Sequence, residues 1–313
     1  MNCAILIAGP TASGKSRLAI ELARAVDGVI INADSMQVYR ELRVLTARPD
    51  DTELAAAPHR LYGITSVREP FSVGRWLELA LAEIAAARAA GLLPIIVGGT
   101  GLYFQALTEG MAEILSIPEN VRTKARGLLD EIGAIALHEI LAQRDPVMAA
   151  RLKPTDSQRL VRAYEVMEAT GVSLADWQQR PATTPTLPGP WQGFVLQWPR
   201  AELYRRCDER LAAMLDQGAL AEVKALAELD LDPGLPAMKA LGVPDLLRLH
   251  RSEIGRTEAL AAAQQATRRY AKRQMTWFRN KMCSWKSLKT QDSERLSDII
   301  IPFISKKQLT DPD

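Results

Sequence analysis

Cysteine and histidine are scarce in this chain of 313 residues, which contains three of each. The cysteines, Cys3, Cys207 and Cys283, are far apart and odd in number. Such spacing argues against a disulfide framework and is typical of a protein from a reducing compartment. No CxxC pair accompanies the histidines, which argues against a zinc site.

Long apolar runs are also missing. The longest apolar tract, residues 77–97, is interrupted by Glu78, Glu83 and Arg88, so it does not predict a membrane span. The first apolar run ends at Gly9 and has no basic residues before it, unlike a signal peptide. With 47% hydrophobic and 24% charged residues, the composition is that of a globular protein. We therefore expect a cytoplasmic protein with no membrane association.

Acidic residues are absent between Ala259 and Gln291, although the net charge of the whole chain is only +2. The same stretch contains eight basic residues: Arg268, Arg269, Lys272, Arg273, Arg279, Lys281, Lys286 and Lys289. Tyr270, Trp277, Phe278 and Trp285 lie among them. Basic residues interleaved with aromatics are typical of a nucleic-acid surface. A solvated helix face with an aromatic seam against the core explains the pattern equally well.

The N-terminal part of the chain alternates between short apolar strands and amphipathic helices. Strands are predicted at 3–8, 28–32 and 93–97, and helices follow Lys15, Ser72 and Leu102. Because each strand is apolar on both faces, the pattern predicts an α/β fold in which helices cover both faces of a parallel sheet.

From about Ile117 the pattern becomes purely helical. Helices are predicted at 119–132, 134–143, 146–152 and 156–170, and a proline-rich linker at 181–192 precedes a returning strand at 194–198. Helices follow at 201–217, 220–229 and from Thr257 to about Trp285. We therefore divide the chain into a first core part (1–116), a helical insertion domain (117–190), a second core part with a basic helix (191–286) and a loose tail (287–313), in which 299–304 could pair at a sheet edge.

A glycine-rich loop joins the first strand to the first helix. It reads Gly9-Pro10-Thr11-Ala12-Ser13-Gly14-Lys15-Ser16, which matches GxxxxGK[ST] in full. Backbone N–H groups of such a loop bind phosphates at a helix N-terminus, Lys15 adds a positive charge, and the Ser16 hydroxyl suits Mg²⁺. The loop predicts a site for a diphosphate or triphosphate without specifying ATP.

Asp34 and Thr100 follow the second and third predicted strands, so both should lie at the same edge of the sheet as the glycine-rich loop. A carboxylate there can hold a metal or accept a proton, which its position favours, although Asp34 could also cap a helix. Thr100 could reach a phosphate oxygen, although taken alone it is better explained as the cap of the helix beginning at Leu102.

One feature of nucleotide-hydrolysing enzymes is missing. None of the predicted strands ends in an acidic pair that would position a water beside Mg²⁺. This absence disfavours a motor or switch NTPase and favours a transferase that holds a phosphorylated donor on the loop.

Several longer motifs occur in a specific order along residues 4–280. After the loop Gly9–Ser16 come DSMQVY (34–39), PHRL (58–61), GGTGLY (98–103), DP (145–146), DSQRLVR (156–162) and AKRQMTWFR (271–279). Together they resemble tRNA dimethylallyltransferase, also called tRNA isopentenyltransferase. One departure is Gly242-Val243-Pro244, where the family usually has Gly-Tyr followed by a polar residue.

The resemblance implies a P-loop NTPase-like fold and a prenyltransferase activity. The enzyme would transfer a dimethylallyl group from dimethylallyl diphosphate to N6 of the adenosine at tRNA position 37, next to the anticodon, and release diphosphate. It would use Mg²⁺, held by Ser16, and the anticodon stem-loop would be its partner. A monomer suffices for this chemistry.

The resemblance also implies roles for individual residues. Asp34, Thr100 and Arg206 would be catalytic, with Asp34 as the base and Arg206 stabilising the leaving group. Gly9–Ser16 and Arg210 would bind the diphosphate. The tRNA would be bound by Asp34, Ser35, Met36, Gln37, Thr100, Arg122, Gln158, Arg159, Leu160, Val161, Arg162, Lys272 and Arg273.

Three other functions remain possible from the residues alone. A nucleotide or metabolite kinase could use Asp34 to activate a hydroxyl group. An isopentenyltransferase acting on free AMP or ADP needs neither the helical insertion nor the basic helix. A non-catalytic RNA-binding protein would not need Asp34, Thr100 and Arg206 together.

Overall fold

The computed structural model describes residues 3–112, 117–184, 186–289 and 300–302. The chain divides into two compact units. Unit 1 combines Met1–Leu107 with Leu187–Asp313, and unit 2 is Thr108–Thr186. Unit 2 therefore covers most of the range in which the sequence predicts a helical insertion. None of the helices in the described ranges has the length and apolar character that a membrane span requires.

A parallel sheet forms the centre of unit 1. Its strands are β1 (Ala4–Ala8), β2 (Gly28–Asn32), β3 (His59–Arg60), β4 (Leu93–Gly98), β5 (Trp191–Gln197) and β6 (Lys286–Lys289). They lie in the order β3-β2-β4-β1-β5-β6, and all five neighbouring pairs are parallel. The carboxyl ends of β2, β4 and β1 therefore lie side by side at one edge of the sheet.

The core of unit 1 covers both faces of the sheet. On one face, strand residues such as Ile7, Ile30 and Ile95 pack against Leu18 and Leu22 of the first helix. The residues that alternate with them also have less than 3% of their surface exposed, among them Leu6, Ile31 and Ile96. The predicted α/β sheet with helices on both faces is therefore confirmed.

Most helices of this unit begin and end close to the predicted residues. They are α1 (Lys15–Ala25), α2 (Asp51–Ala56), α3 (Val73–Ala89), α4 (Gly101–Glu109, reaching into unit 2), α9 (Arg200–Asp216), α10 (Ala219–Ala227), α11 (Val243–His250) and α12 (Arg256–Lys281). Ser72 caps α3 by accepting a hydrogen bond from the N–H of Arg75 at 3.1 Å. α2 and α11 were not predicted. Pro244 lies in the first turn of α11, and Val243 is fully buried, so the Gly-Val-Pro departure starts a helix and fills the core.

Unit 2 consists of α5 (Glu119–Arg144), α6 (Pro146–Arg151), α7 (Ser157–Thr170) and α8 (Leu174–Gln179). Gly133, with φ 76° and ψ 171°, divides α5 into the two segments that the sequence predicted separately. The buried carboxylate of Asp145 joins α6 to α8, because its Oδ1 accepts hydrogen bonds from Met148 N at 3.0 Å and Ser173 Oγ at 2.9 Å.

The predicted tail requires a correction. We expected a loose segment from Ser287, but β6 pairs in parallel with β5 over residues 286–289. α12 ends at Lys281, and buried Trp285 then lies against Gly193 of β5, where a Cβ would come within 2.3 Å of its ring. Because Gly193 has no side chain, the Trp285 ring can pack against β5, and the residues that follow can pair at the edge of the sheet. Of the predicted edge segment 299–304, residues 299, 303 and 304 lie outside the described ranges, and the described residues 300–302 are helical.

Glu222 of α10 anchors the loop that follows β2. Its carboxylate accepts hydrogen bonds from three consecutive backbone N–H groups, those of Arg43, Val44 and Leu45. Gln37 holds the next turn, since its Nε2 donates to the carbonyls of Thr46 and Ala47. A loop without regular structure is thereby fixed in one conformation.

We expect Glu222→Ala to lower the free energy of unfolding by about 1–3 kcal/mol, because it leaves partly buried N–H groups without acceptors. Chemical denaturation with circular dichroism measures this change. Glu228→Ala, at an exposed position at the end of the same helix, is the matched control. Equal stability of the two variants would contradict the anchoring role of Glu222.

Candidate active site

Three loops meet at the carboxyl edge of the sheet, as the sequence predicts. They follow β1 (residues 9–14), β2 (33–35) and β4 (99–100). Backbone hydrogen bonds join them: Gly9 N–H donates to Gly98 O at 3.3 Å, and Thr100 N–H donates to Ala33 O at 3.2 Å. A Cβ on Gly98 would lie 2.0 Å from the carbonyl oxygen of Ala33, so this approach requires glycine.

The glycine-rich loop presents free N–H groups at the start of α1. Within the described chain, the N–H groups of Gly14, Lys15 and Ser16 donate to no backbone carbonyl. The carbonyls of Ala12 and Ser13 are occupied, because they accept hydrogen bonds from Arg206 Nε at 3.0 Å and Trp198 Nε1 at 2.9 Å. Free N–H groups at a helix N-terminus form an anion site.

Lys15 adds a buried cation to this anion site. Burial lowers the pKa of its ammonium group to about 8. The negative charge of Asp34 acts to raise this pKa, and the positive charge of Arg210 acts to lower it further. The amine is therefore partly deprotonated near pH 8 when the site holds no anion. A bound diphosphate would favour the charged form.

Two arginines of α9 lie beside the loop. Arg206 contacts Ala12 O, and its guanidinium lies 4.4 Å from the ring centroid of Trp198. Arg210 donates to Thr11 Oγ1, and burial lowers its pKa. Both side chains are thus held next to the glycine-rich loop.

Asp34 does not cap a helix. Residues 35–50 form turns, bends and irregular segments with no helix, and the Asp34 Oδ1 accepts a hydrogen bond from Met36 N–H at 2.9 Å. Asn32, which sequence analysis missed, holds the backbone of Asp34 through two bonds of 2.8 and 3.0 Å. The capping interpretation is therefore wrong, and Asp34 projects from a rigid turn at the sheet edge.

Thr100 is joined to the β2 loop. Its Oγ1 accepts a hydrogen bond from Ser35 N–H at 2.9 Å and donates one to Ser35 Oγ at 3.3 Å. The hydroxyl therefore fixes Ser35 next to Asp34. A contact with a phosphate oxygen would compete with these bonds.

Two adjoining cavities occupy this edge of unit 1. One, of about 660 Å³, lies over the glycine-rich loop and is bordered by Lys15, Ser16, Arg206 and Arg210. The other, of about 200 Å³, contains Asp34 and Tyr270 and has apolar walls made of Leu45, Leu211, Met214 and Leu241. Arg210 and Met214 border both cavities. A cationic space thus adjoins a smaller one that combines these apolar walls with the Asp34 carboxylate and three cations, Arg210, Lys239 and Arg273.

The predicted tRNA-contact residues are found in both units. Ser35 and Met36 border the smaller cavity, Lys272 and Arg273 are exposed on α12, and Gln158 and Arg159 are exposed on α7. Arg122, Val161 and Arg162 are partly exposed in unit 2.

Two predicted tRNA contacts need correction. Leu160 is fully buried in the core of unit 2, and Gln37 uses its buried side chain to hold the Thr46–Ala47 turn. Neither side chain is placed to contact a nucleic acid.

The basic and aromatic residues between Arg268 and Trp285 divide between the protein surface and the core. Arg269, Lys272, Arg273, Arg279 and Lys281 are exposed, whereas Phe278 and Trp285 are buried. Arg268 differs from the other cations because it pairs with Asp208 at 2.6 Å. The aromatics at 278 and 285 therefore belong to the core, and the cations form a solvent-facing surface.

Comparison with known proteins places the chain in one family. The model for IPP transferase matches residues 37–281, and the model for isopentenyl transferase matches residues 2–67. A tRNA dimethylallyltransferase of Rhodospirillum rubrum is 52% identical over 99% of this chain and 92% of its own length. One from Parvibaculum lavamentivorans is 50% identical, with 98% and 97% covered.

Solved structures agree with these relatives. The tRNA isopentenylpyrophosphate transferase of Bacillus halodurans is 31% identical and superposes with a TM-score of 0.70 over 98% of this chain and 97% of its own. A eukaryotic dimethylallyltransferase acting on tRNA superposes with a TM-score of 0.80 at 27% identity, over 98% of this chain and 80% of its own.

The lowered pKa of Lys15 predicts how anion affinity changes with pH. Above about pH 8 the empty site loses the ammonium charge, so its affinity for pyrophosphate should fall roughly tenfold per pH unit. Calorimetric titration between pH 7 and 9 measures this fall, and Lys15→Arg is the control because a guanidinium stays charged. Identical pH profiles for the wild type and Lys15→Arg would show that Lys15 does not titrate in this range.

Proposed function

The chain belongs to the IPP transferase family of tRNA dimethylallyltransferases, and we propose that it transfers the dimethylallyl group of dimethylallyl diphosphate to N6 of the adenosine at tRNA position 37. Diphosphate is the second product. The chain is thus a prenyltransferase with the P-loop NTPase-like fold of its structural neighbours.

The pair of adjoining cavities carries this proposal. Dimethylallyl diphosphate has a highly charged end and a small apolar end. The loop N–H groups, Lys15 and Arg206 suit the diphosphate, and the apolar walls of the smaller cavity suit the five-carbon chain. Arg210 would lie beside the bond between the two parts, since it borders both spaces. The reacting carbon would then face Asp34.

Transfer replaces one bond by another. The N6 nitrogen forms a bond to the first carbon of the dimethylallyl group, while the bond from that carbon to oxygen breaks and its electron pair leaves with the diphosphate. Lys15, Arg206, Arg210 and the loop N–H groups would surround the oxygens on which the negative charge develops, and hydrogen bonds to the loop hold both arginines in place. Preorganised donors of this kind stabilise a transition state without further rearrangement.

Asp34 would receive the proton that N6 loses. One carboxylate oxygen, Oδ1, is held by Met36 N–H, so we assign the proton to Oδ2. The exocyclic amine of adenine is a weak nucleophile, and a carboxylate hydrogen-bonded to it helps the attack. To reach this carboxylate the adenosine must leave its stack, which costs a few kcal/mol.

Mg²⁺ fits the donor set at the loop. Among the described residues no cluster of three or more His, Cys, Asp or Glu side chains could form a protein cage for a metal. Mg²⁺ is often bound by one or two protein oxygens together with substrate phosphates and waters. The Ser16 hydroxyl would supply such an oxygen. When bound, the ion would neutralise charge on the diphosphate.

The exposed cations of α12 and of α7 would contact tRNA phosphates. Lys272 and Arg273 project from α12, and Arg159 from α7. Arg159 pairs with Asp156 at 3.6 Å, whereas among the described residues no salt bridge joins Lys272 or Arg273 to a carboxylate. We further propose that the protein acts as a monomer in the cytoplasm, where its three cysteines would stay reduced.

Asp34→Asn tests the assignment of the base. The amide keeps the shape of the carboxylate and cannot take a proton, so the single-turnover rate should fall by roughly 10²–10⁴. Affinity for dimethylallyl diphosphate should barely change. Asp232→Asn is the matched control, because Asp232 Oδ1 also accepts a backbone bond two residues on, from Gly234 N–H at 2.7 Å, in an exposed turn. Near-normal transfer by Asp34→Asn would remove Asp34 from the catalytic residues.

The phosphate contacts of α12 predict a change in salt dependence. Each lost contact should reduce the slope of log affinity against log salt by about one unit, so Lys272→Ala/Arg273→Ala should reduce it by about two. Filter binding of unmodified tRNA over a range of salt concentrations measures the slope. Lys224→Ala, exposed on α10, should leave it unchanged. An unaltered slope in the double variant would return these two residues to a merely solvated face.

A further inference from the structure

Gln274 is a buried polar residue on the inner face of α12, with only 5% of its surface exposed. Both ends of its amide are engaged by backbone groups far away in the sequence. Its Oε1 accepts a hydrogen bond from Thr11 N–H at 2.8 Å, and its Nε2 donates one to Gly99 O at 2.8 Å. One side chain therefore bridges the glycine-rich loop and the loop after β4.

The bridge spans two loops that serve different substrates in the proposed reaction. Thr11 belongs to the loop assigned to the donor diphosphate. Gly99 precedes Thr100, whose hydroxyl fixes Ser35 next to the base Asp34. The backbone bond from Gly9 to Gly98 joins the two loops at their starts, and Gln274 joins them again further out. The relative position of donor and base thus depends on this amide.

Close packing leaves no freedom at the β4 side of the bridge. A Cβ on Gly99 would lie 2.3 Å from Gln274 Nε2 and 3.4 Å from Asp34 Oδ2. The amide nitrogen and the carboxylate oxygen therefore border the same small volume. Any displacement of Gln274 would move Gly99 relative to the base.

The rest of the inner face of α12 supports the same two loops. One turn before Gln274, Ala271 packs against Ala12 and Cys207. One turn after it, the Trp277 indole lies where a Cβ on Gly101 would come within 2.1 Å. Lys272 and Arg273 are exposed on the same turn of the helix. α12 thus carries a surface for nucleic acid on one side and holds the reaction loops on the other.

We propose that Gln274 is a positioning residue that sets the distance between the donor loop and the base for transfer. This inference rests on the proposed function. The donor contacts mainly the glycine-rich loop, and the adenosine would contact mainly Asp34 and its neighbours. Each can bind without the bridge, whereas the transition state includes both and requires their alignment. Loss of the bridge should therefore lower the rate of transfer and leave both affinities nearly unchanged.

Gln274→Glu tests this split. The carboxylate can still accept from Thr11 N–H but cannot donate to Gly99 O, which it would repel. With both substrates saturating, the single-turnover rate should fall by an amount of the order of 10²-fold, typical of a small misalignment of reacting groups. Gln274→Met, which keeps the volume and makes neither bond, should behave alike and replaces the charged variant if that one does not fold.

Gln264→Ala is the matched control. Gln264 lies on the same helix, and its Nε2 donates to Asp208 O at 3.2 Å, away from both loops. It should transfer at nearly the wild-type rate. If the Gln274 variants match Gln264→Ala, or if saturating donor and tRNA restore their rate, the proposal is overturned.

Amide hydrogen exchange separates this proposal from the proposed function. In Gln274→Met the N–H of Thr11 loses its acceptor and should exchange faster, while in Gln264→Ala it should stay protected. This readout needs no substrate. If the wild type makes no prenylated adenosine but Thr11 loses protection, the function is wrong and the bridge is real. Unchanged protection of the Thr11 N–H in Gln274→Met would show that Gln274 does not bridge the two loops.

Discussion

The close approach of three loops at the carboxyl edge of the sheet is the constraint on which the site depends. β2, β4 and β1 are neighbours, so the chain turns away from each strand within a few ångströms of the next turn. Gly98 makes this possible, because a side chain there would overlap the carbonyl of Ala33. The backbone bonds from Gly9 to Gly98 and from Thr100 to Ala33 then fix the phosphate loop, the base and Thr100 in one frame. Every catalytic assignment presupposes that frame.

The charges around the glycine-rich loop would favour the binding of an anion. Lys15 is buried and Arg210 is partly buried, and desolvation lowers the pKa of each. Asp34 is a carboxylate near both. Because one carboxylate does not balance two cations, positive charge is in excess around the loop. Such an arrangement is costly without a ligand, and a diphosphate would relieve the cost by supplying charge and hydrogen-bond acceptors. The same excess would stabilise the leaving group as its charge grows.

Local patterns predicted much of the fold and the loop, and tertiary packing determined the rest. The strand ends, the glycine-rich loop and the break at Gly133 follow from apolar runs and glycine positions. Whether Asp34 caps a helix could not be decided, because that depends on how residues 35–50 are held by Gln37 and Glu222. Leu160 matched a motif by sequence but faces the core of its helical unit. Only one sequence feature pointed to Gln274: it is a polar residue that lies between the apolar residues Ala271 and Phe278 on the inner face of α12.

Locating the transferred group tests the account most directly. Purified protein would be incubated with dimethylallyl diphosphate, Mg²⁺ and unmodified tRNA, and the tRNA would be digested and analysed by mass spectrometry. We expect one added dimethylallyl group per tRNA, on N6 of the adenosine next to the anticodon, with release of an equal amount of diphosphate. Unmodified tRNA from folded, donor-binding protein, or a group attached to another base, would contradict the proposed function.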